Sequence, residues 1–204
     1  LPSDIFKKRK VSNYAYISDP KEIGGLLRMI DHYKGTYQVG TALKIAPYVF
    51  LRPLELAGLK WGEVDFTDKL IRIDSERMKM GEPHIVPMSS QVIKLLESIK
   101  DIETGSIFVF PSPATTKRHI SPESLRAGLR RMGLSSDEMT THGFRHMAST
   151  RLYELGFNGD VIERQLAHGE RNKIKATYNH AQYLKGRKIM MDEWANYLDK
   201  LRDN

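Results

Sequence analysis

The apolar residues keep a helical period over most of this chain and abandon it between Trp61 and Met88, and that one interruption most limits the folds available. Before it, Asp19-Pro20-Lys21-Glu22 reads as a helix start, with Asp19 as N-cap and proline at the first helical position, and Ile23, Leu26, Leu27 and Ile30 follow as a buried stripe. A second apolar stretch runs from about Thr41 to Leu59, where Pro47 and Pro53 are expected to break it into pieces. Inside the interruption, Lys69 to Asp74 and His84 to Met88 are short β-branched segments. Met78-Lys79-Met80 reads as a strand entering a turn at Gly81-Glu82, with both methionines on one side and Lys79 on the other. Helical spacing then returns through Val92, Leu95, Leu96 and Ile99, pauses in a Gly105 to Pro111 loop with a strand-like core, and resumes behind Ser121-Pro122-Glu123. The latter helix carries Leu125, Leu129 and Met132 on one side and leaves Arg126, Arg130 and Arg131 for solvent or phosphate. Thr141 is expected to cap a helix from His142 to about Leu155 that Gly156 stops, and Asn158 starts another that ends at His168-Gly169. The pattern predicts a mainly α domain with one small antiparallel β-sheet, an α+β fold.

A chain of 204 residues, 40% hydrophobic and 28% charged, has enough apolar surface for one core, so one domain is expected. Lys and Arg number 32 against 25 acidic residues, and the resulting +7 favours a polyanionic partner. The run Lys7-Lys8-Arg9-Lys10 fits a solvated basic leader, and Leu1 in place of methionine suggests a fragment. Cysteine is absent, which removes disulfides and thiolate chemistry. No apolar run approaches the roughly 20 residues of a membrane span, and no signal peptide opens the chain.

The chemistry-bearing residues fall into separate boxes: Arg52-Pro53-Leu54-Glu55, Lys79 beside its turn, His142-Gly143-Phe144-Arg145-His146, Leu166-Ala167-His168, and Tyr178 ten residues later. Taken singly, each has an ordinary explanation: a helical ion pair, an exposed lysine, a charge cluster at a helix end, a C-terminal cap, a packing tyrosine. Taken together and in this order, Arg-x-x-Glu, Lys, His-x-x-Arg, His and Tyr resemble the catalytic domain of tyrosine recombinases of the phage integrase family. The tail from Ala176 through Trp194 is similar to prophage integrases that insert at tRNA genes. Ala167, where a glycine is common, and Leu51, where a small residue is common, depart from the pattern without removing a reacting group.

The resemblance implies residues 1–18 as a basic N-terminal linker and 19–204 as the catalytic domain with a C-terminal helical tail. It implies a site-specific recombinase that cuts and rejoins DNA through a covalent 3′-phosphotyrosine during prophage or genomic-island integration and excision. Tyr178 would be the nucleophile, and Arg52 and Arg145 would clamp the phosphate, because a planar fork that stays charged suits nonbridging oxygens. His142 would act as base or hydrogen-bond partner, His168 as a donor to a nonbridging oxygen, and Lys79 as the acid for the leaving 5′ oxygen. Glu55 would position Arg52, and His146 would support the site. No cofactor is expected, since one phosphoester replaces another without metal or ATP. The implied partners are duplex DNA attachment sites, a homotetramer in the synaptic complex built from isolated monomers, and accessory DNA-bending or excision factors. The implied location is the bacterial cytoplasm on the nucleoid, with no membrane.

Rival readings are a zinc hydrolase built on His142 and His146, a DNA-binding domain without catalysis, and a relaxing topoisomerase of the same chemistry. Tyr183 is the rival nucleophile. Met190, Met191, Trp194, Tyr197, Leu198 and Leu201 form an apolar stripe behind the basic segment Lys185 to Lys188; it could fold back on its own domain or dock on a neighbouring subunit.

Overall fold

The computed structural model describes residues 14–102, 104–168 and 183–204. Its helices are α1 (Pro20–Asp31), α2 (Tyr37–Val49), α3 (Pro53–Ala57), α4 (Ser90–Lys100), α5 (Pro122–Arg131), α6 (Gly143–Glu154), α7 (Gly159–Gln165) and α8 (Leu184–Asp203). Between α3 and α4 lie β1 (Val64–Asp65), β2 (Leu70–Ile73) and β3 (His84–Pro87) in an antiparallel sheet, with Ile71 opposite both Val64 and Val86. A second hairpin, β4 (Pro111–Ser112) with β5 (Thr115–His119), follows α4. The α+β expectation holds, with one strand pair more than the hydrophobic pattern announced: β5, Thr-Thr-Lys-Arg-His, buries nothing fully and so shows no apolar alternation.

Helix α2 is the centre of the core, burying Ala42, Leu43, Ile45 and Val49 among α1, α4, α5, α6 and α8. Pro47 does not break it. The proline sits in the last turn, where its missing N–H forfeits one hydrogen bond, and its carbonyl accepts from Trp194 Nε1 at 2.9 Å. The helix ends instead at Phe50, held at φ 59°. A left-handed conformation costs an aromatic residue about 1–2 kcal/mol, which full burial of the ring edge-on against Trp194 offsets. This reversal aims the chain so that Arg52 opens α3.

Asp19 caps α1 as expected, accepting from Lys21 N at 2.9 Å and Glu22 N at 3.1 Å. The N-cap of α6 is His142 rather than Thr141, and its side chain makes no capping bond; the Thr140 hydroxyl accepts from Gly143 N at 3.0 Å. Gly156, at φ 82°, ends that region, and Asn158 caps α7 through Asp160 N. The last residues of the segment read as linker are docked rather than free, with Tyr16 and Ile17 packed on the core and Ala15 O accepting from Thr140 N at 3.1 Å. Arg130 is not available for phosphate, because its guanidinium holds the carbonyls of Leu134 and Met139.

Helix α8 folds back on its own domain. Met190, Met191, Trp194 and Leu198 are buried, and Gly24 of α1 lies so close that a Cβ there would stand 2.1 Å from Leu201 O. Arg28 Nη1 donates to Arg202 O at 2.7 Å and closes the end of the helix. Of the two occupants left open for this stripe, its own core is the one observed. No helix among the described residues is long and apolar enough to cross a membrane.

Candidate active site

A cleft of about 260 Å³ is lined by Tyr14, Arg52, Lys79, His142, Arg145, His146, Ser149, Leu166 and His168. Residues more than a hundred positions apart converge there, and among the described residues no carboxylate lines it. Such a cavity is built for an anion.

Arg52 stands at the N-cap of α3, and the Arg-x-x-Glu spacing is spent on itself. Glu55 Oε2 accepts from Arg52 N at 2.8 Å while Oε1 accepts from Arg52 Nη1 at 2.8 Å, so one buried carboxylate fixes both ends of the arginine. Arg52 Nη2 donates to Ala167 O at 3.2 Å. Arg145, on the first turn of α6, is buried and donates to Phe50 O and Leu166 O. Burial, and then the charge of Arg52, push its guanidinium down to about 10, leaving it cationic at neutral pH. The arginines thus reach the cleft with their forks already oriented by the protein.

His168 sits just past α7, in a turn closed by His168 N to Glu163 O at 3.1 Å and Ala167 N to Arg164 O at 3.1 Å. That double closure requires a left-handed residue between them, and Ala167 supplies it at φ 49°. Glu163 Oε2 lies 2.7 Å from His168 Nδ1, so that nitrogen is the donor and Nε2 is left for the cleft. The Tyr153 hydroxyl donates to the other Glu163 oxygen at 3.1 Å.

His142 stands at the N-cap of α6 with no side-chain capping bond. Burial, followed by Arg145, His146, Arg52 and Lys79, lowers its pKa, so the ring is neutral at pH 7 and able to accept a proton. His146 is lowered by burial, Arg145 and His168, and its ring lies 5.7 Å from that of Tyr16. It lines the cleft directly.

Lys79 is exposed on the connection between β2 and β3, but not on a strand. Ser75–Arg77 forms a 3-10 turn, Gly81 N donates to Met78 O at 3.0 Å, and Gly81 takes φ 68°. The turn sends Met78 inward and Met80 outward, so the expected pairing of both methionines on one face does not occur. Short-range turn bonds override a three-residue alternation that has no partner strand.

Tyr178 lies outside the described residues. Tyr183 donates to Asp160 Oδ2 at 3.1 Å, at the opposite end of α7 from His168, and does not line the cleft. Among the described residues no group of three or more His, Cys, Asp or Glu is arranged to hold a metal ion.

Sequence reasoning passed over a buried node at Gln165, the residue before the cleft-lining Leu166. Gln165 Oε1 accepts from Arg187 Nε at 2.9 Å and Nη2 at 2.7 Å, Gln165 Nε2 donates to Val49 O at 3.3 Å, and Arg187 also donates to Ile85 O. These bonds tie together α2, β3, α7 and α8, the elements adjoining Arg52, Lys79, His168 and the 169–182 segment. Burial and Arg164 push Arg187 down to about 9. The signal was present: Gln165 and Arg187 each occupy a polar break in an apolar stripe, beside Ile162 and Leu166 in one case and Met190, Met191 and Trp194 in the other. Glu163 was also missed, because its partner His168 lies beyond the helix that carries it.

A sequence profile of the phage integrase family matches residues 18–185. The chain is 35% identical over 199 residues to an integrase of Shigella phage Sf6, covering 97% of this chain and 51% of that protein. It is 34% identical over 199 residues to prophage integrase IntS of Escherichia coli K12, with 97% and 51% covered. The chain therefore spans about half the length of these curated relatives. Among solved structures, the integrase from mycobacterium phage Brujita superposes with a TM-score of 0.66 at 14% identity, covering 96% of this chain and 65% of that one. The Tn1549 transposon integrase in complex with circular intermediate DNA gives 0.62 at 18% identity, with 90% and 67% covered. The architecture is thus that of integrase structures from phages and transposons. The chain belongs to the phage integrase family.

Proposed function

We propose that this chain is the catalytic domain of a site-specific DNA recombinase that cuts and rejoins duplex DNA through a 3′-phosphotyrosine at Tyr178. The observation that carries this reading is the cleft itself: Arg52, Lys79, His142, Arg145 and His168 converge on it with no carboxylate among its described walls.

Attack on a phosphodiester concentrates negative charge on the nonbridging oxygens, and preorganised cations lower that barrier. Arg52 and Arg145 hold those oxygens, their orientation set by Glu55 and by backbone carbonyls. His168, held by Glu163 at Nδ1, presents Nε2 to a nonbridging oxygen as its hydrogen-bond partner. The Tyr178 hydroxyl, whose reference pKa is about 10, gives its proton to neutral His142 as its oxygen bonds to phosphorus. The bond from phosphorus to the 5′ oxygen breaks, and Lys79 protonates the leaving oxygen. One phosphoester is exchanged for another, so reversal by a different 5′ hydroxyl reseals the strand.

The names of the phage and prophage relatives support integration as the biological use, with excision as the reverse of the same chemistry, and a neighbour solved in complex with DNA supports DNA as the substrate. Tetrameric synapsis, accessory bending factors, tRNA-gene targets and a place on the bacterial nucleoid extend the same reading.

The test uses a labelled pool of nicked suicide duplexes randomised around the nick. The wild-type chain should form an EDTA-resistant covalent adduct, peptide mapping should place the DNA on Tyr178, and Tyr178→Phe should bind DNA without forming it. An adduct persisting in Tyr178→Phe, or loss of the reaction in EDTA, overturns the assignment.

A further inference from the structure

We infer that Tyr14, from the strap that precedes α1, is a positioning residue for His142. This rests on the recombinase reading above. The two rings stack with centroids 4.3 Å apart and planes 11° from parallel. Among the described residues no hydrogen bond fixes the His142 imidazole, so the stack is what sets its plane and leaves its nitrogen edge for the cleft.

Packing alone does not account for Tyr14. It is 51% exposed, and it lines the cleft beside His146, whose ring centroid lies 6.1 Å away. The strap is anchored without it. Ala15 O accepts from both Thr140 N and Thr140 Oγ1 at 3.1 Å, and the Tyr16 hydroxyl accepts from Thr150 Oγ1 at 3.2 Å. Gly143 leaves the room, since a Cβ there would stand 2.5 Å from Ala15 O. The backbone and Tyr16 deliver the Tyr14 ring to the site, so trimming that ring leaves the strap in place.

The ring screens one face of His142 from water, while the groups facing the imidazole, Arg145, His146, Arg52 and Lys79, all disfavour its cationic form. Removing the ring admits water and returns His142 toward its ordinary value. A step that needs neutral His142 is lost as pH falls through its pKa. Raising that pKa therefore moves the loss to higher pH.

The experiment measures single-turnover adduct formation on the recovered nicked duplex at saturating DNA, as a function of pH, for wild type, Tyr14→Ala and Tyr14→Phe, with melting temperatures alongside. Tyr14→Phe keeps the stack and should follow wild type. Tyr14→Ala should be about tenfold slower at neutral pH, with unchanged DNA affinity and an acid limb displaced upward. A Tyr14→Ala protein that matches wild type in rate and pH profile overturns the inference alone. So does one that loses only DNA affinity, which would make Tyr14 a base-stacking residue. Failure of the wild-type chain to form any adduct instead removes the recombinase reading, and this role with it.

Discussion

Arg145 donates a guanidinium N–H to the carbonyl oxygen of Leu166, the residue two before His168, and from its other terminal nitrogen it reaches Phe50 O, two before Arg52. One side chain therefore sets the spacing between two other residues of the cleft. A lysine keeps the charge but cannot donate in two fixed directions. Arg145→Lys should slow adduct formation by about a hundredfold, and leaving a buried carbonyl unpaired should lower stability by about 1–3 kcal/mol. Single-turnover cleavage and urea unfolding measure the two effects separately, and a variant with unaltered cleavage would refute the clamp.

Lys79 lies on an exposed turn, where its loss perturbs little packing. Lys79→Ala should cut ordinary DNA at least about a hundredfold more slowly. On a strand whose scissile 5′ oxygen is replaced by sulfur, which leaves without a proton, it should recover. An equal defect on both substrates removes the acid role.

Ala167 carries a Cβ at φ 49°, where glycine pays no steric penalty. Ala167→Gly should stabilise the domain by about 1 kcal/mol and raise Tm by about 2–4 °C, with cleavage retained. Calorimetry showing a lower Tm would mean that the turn before His168 is not strained.

His84, the first residue of β3, is buried with Nε2 unpartnered among the described residues. Burial, then Arg187, Arg164, Arg145 and Arg52, push it down to about 3 from 6.5. The unfolded chain binds a proton in that window and the folded chain does not, so stability rises with pH between these values and falls as pH drops through them. The His84 contribution to the slope is about 1.4 kcal/mol per pH unit. Denaturant midpoints between pH 4 and 7 should be flatter for His84→Gln than for wild type, and parallel curves would show that His84 titrates normally.

The helices with one-sided stripes could be read directly from residue order, as could the α+β class, because a 3.6-residue period needs only one solvent-shielded face to be visible. Asp19 and Asn158 announced their caps for the same local reason. The Met78-Lys79-Met80 turn misled because three alternating residues carry no register without a paired strand, and the Gly81 hydrogen bond decided the matter. Pro47 misled because it stands in the last turn of α2, where the bond it forfeits and the crowding of its ring fall on a helix that ends at Val49.

By itself, the order of residues determined which candidate groups the chain offers and how they are spaced: Arg52 with Glu55, His142 with Arg145, Lys79, His168 and Tyr178. Only the tertiary structure decided that Arg52 and Arg145 share one cleft, that Glu163 aims His168, that Tyr14 covers His142, and that α8 completes its own core. Local spacing follows from bond geometry and is written along the chain. Contacts between residues a hundred or more positions apart follow from how all the apolar faces pack at once, and no short stretch of sequence contains that information.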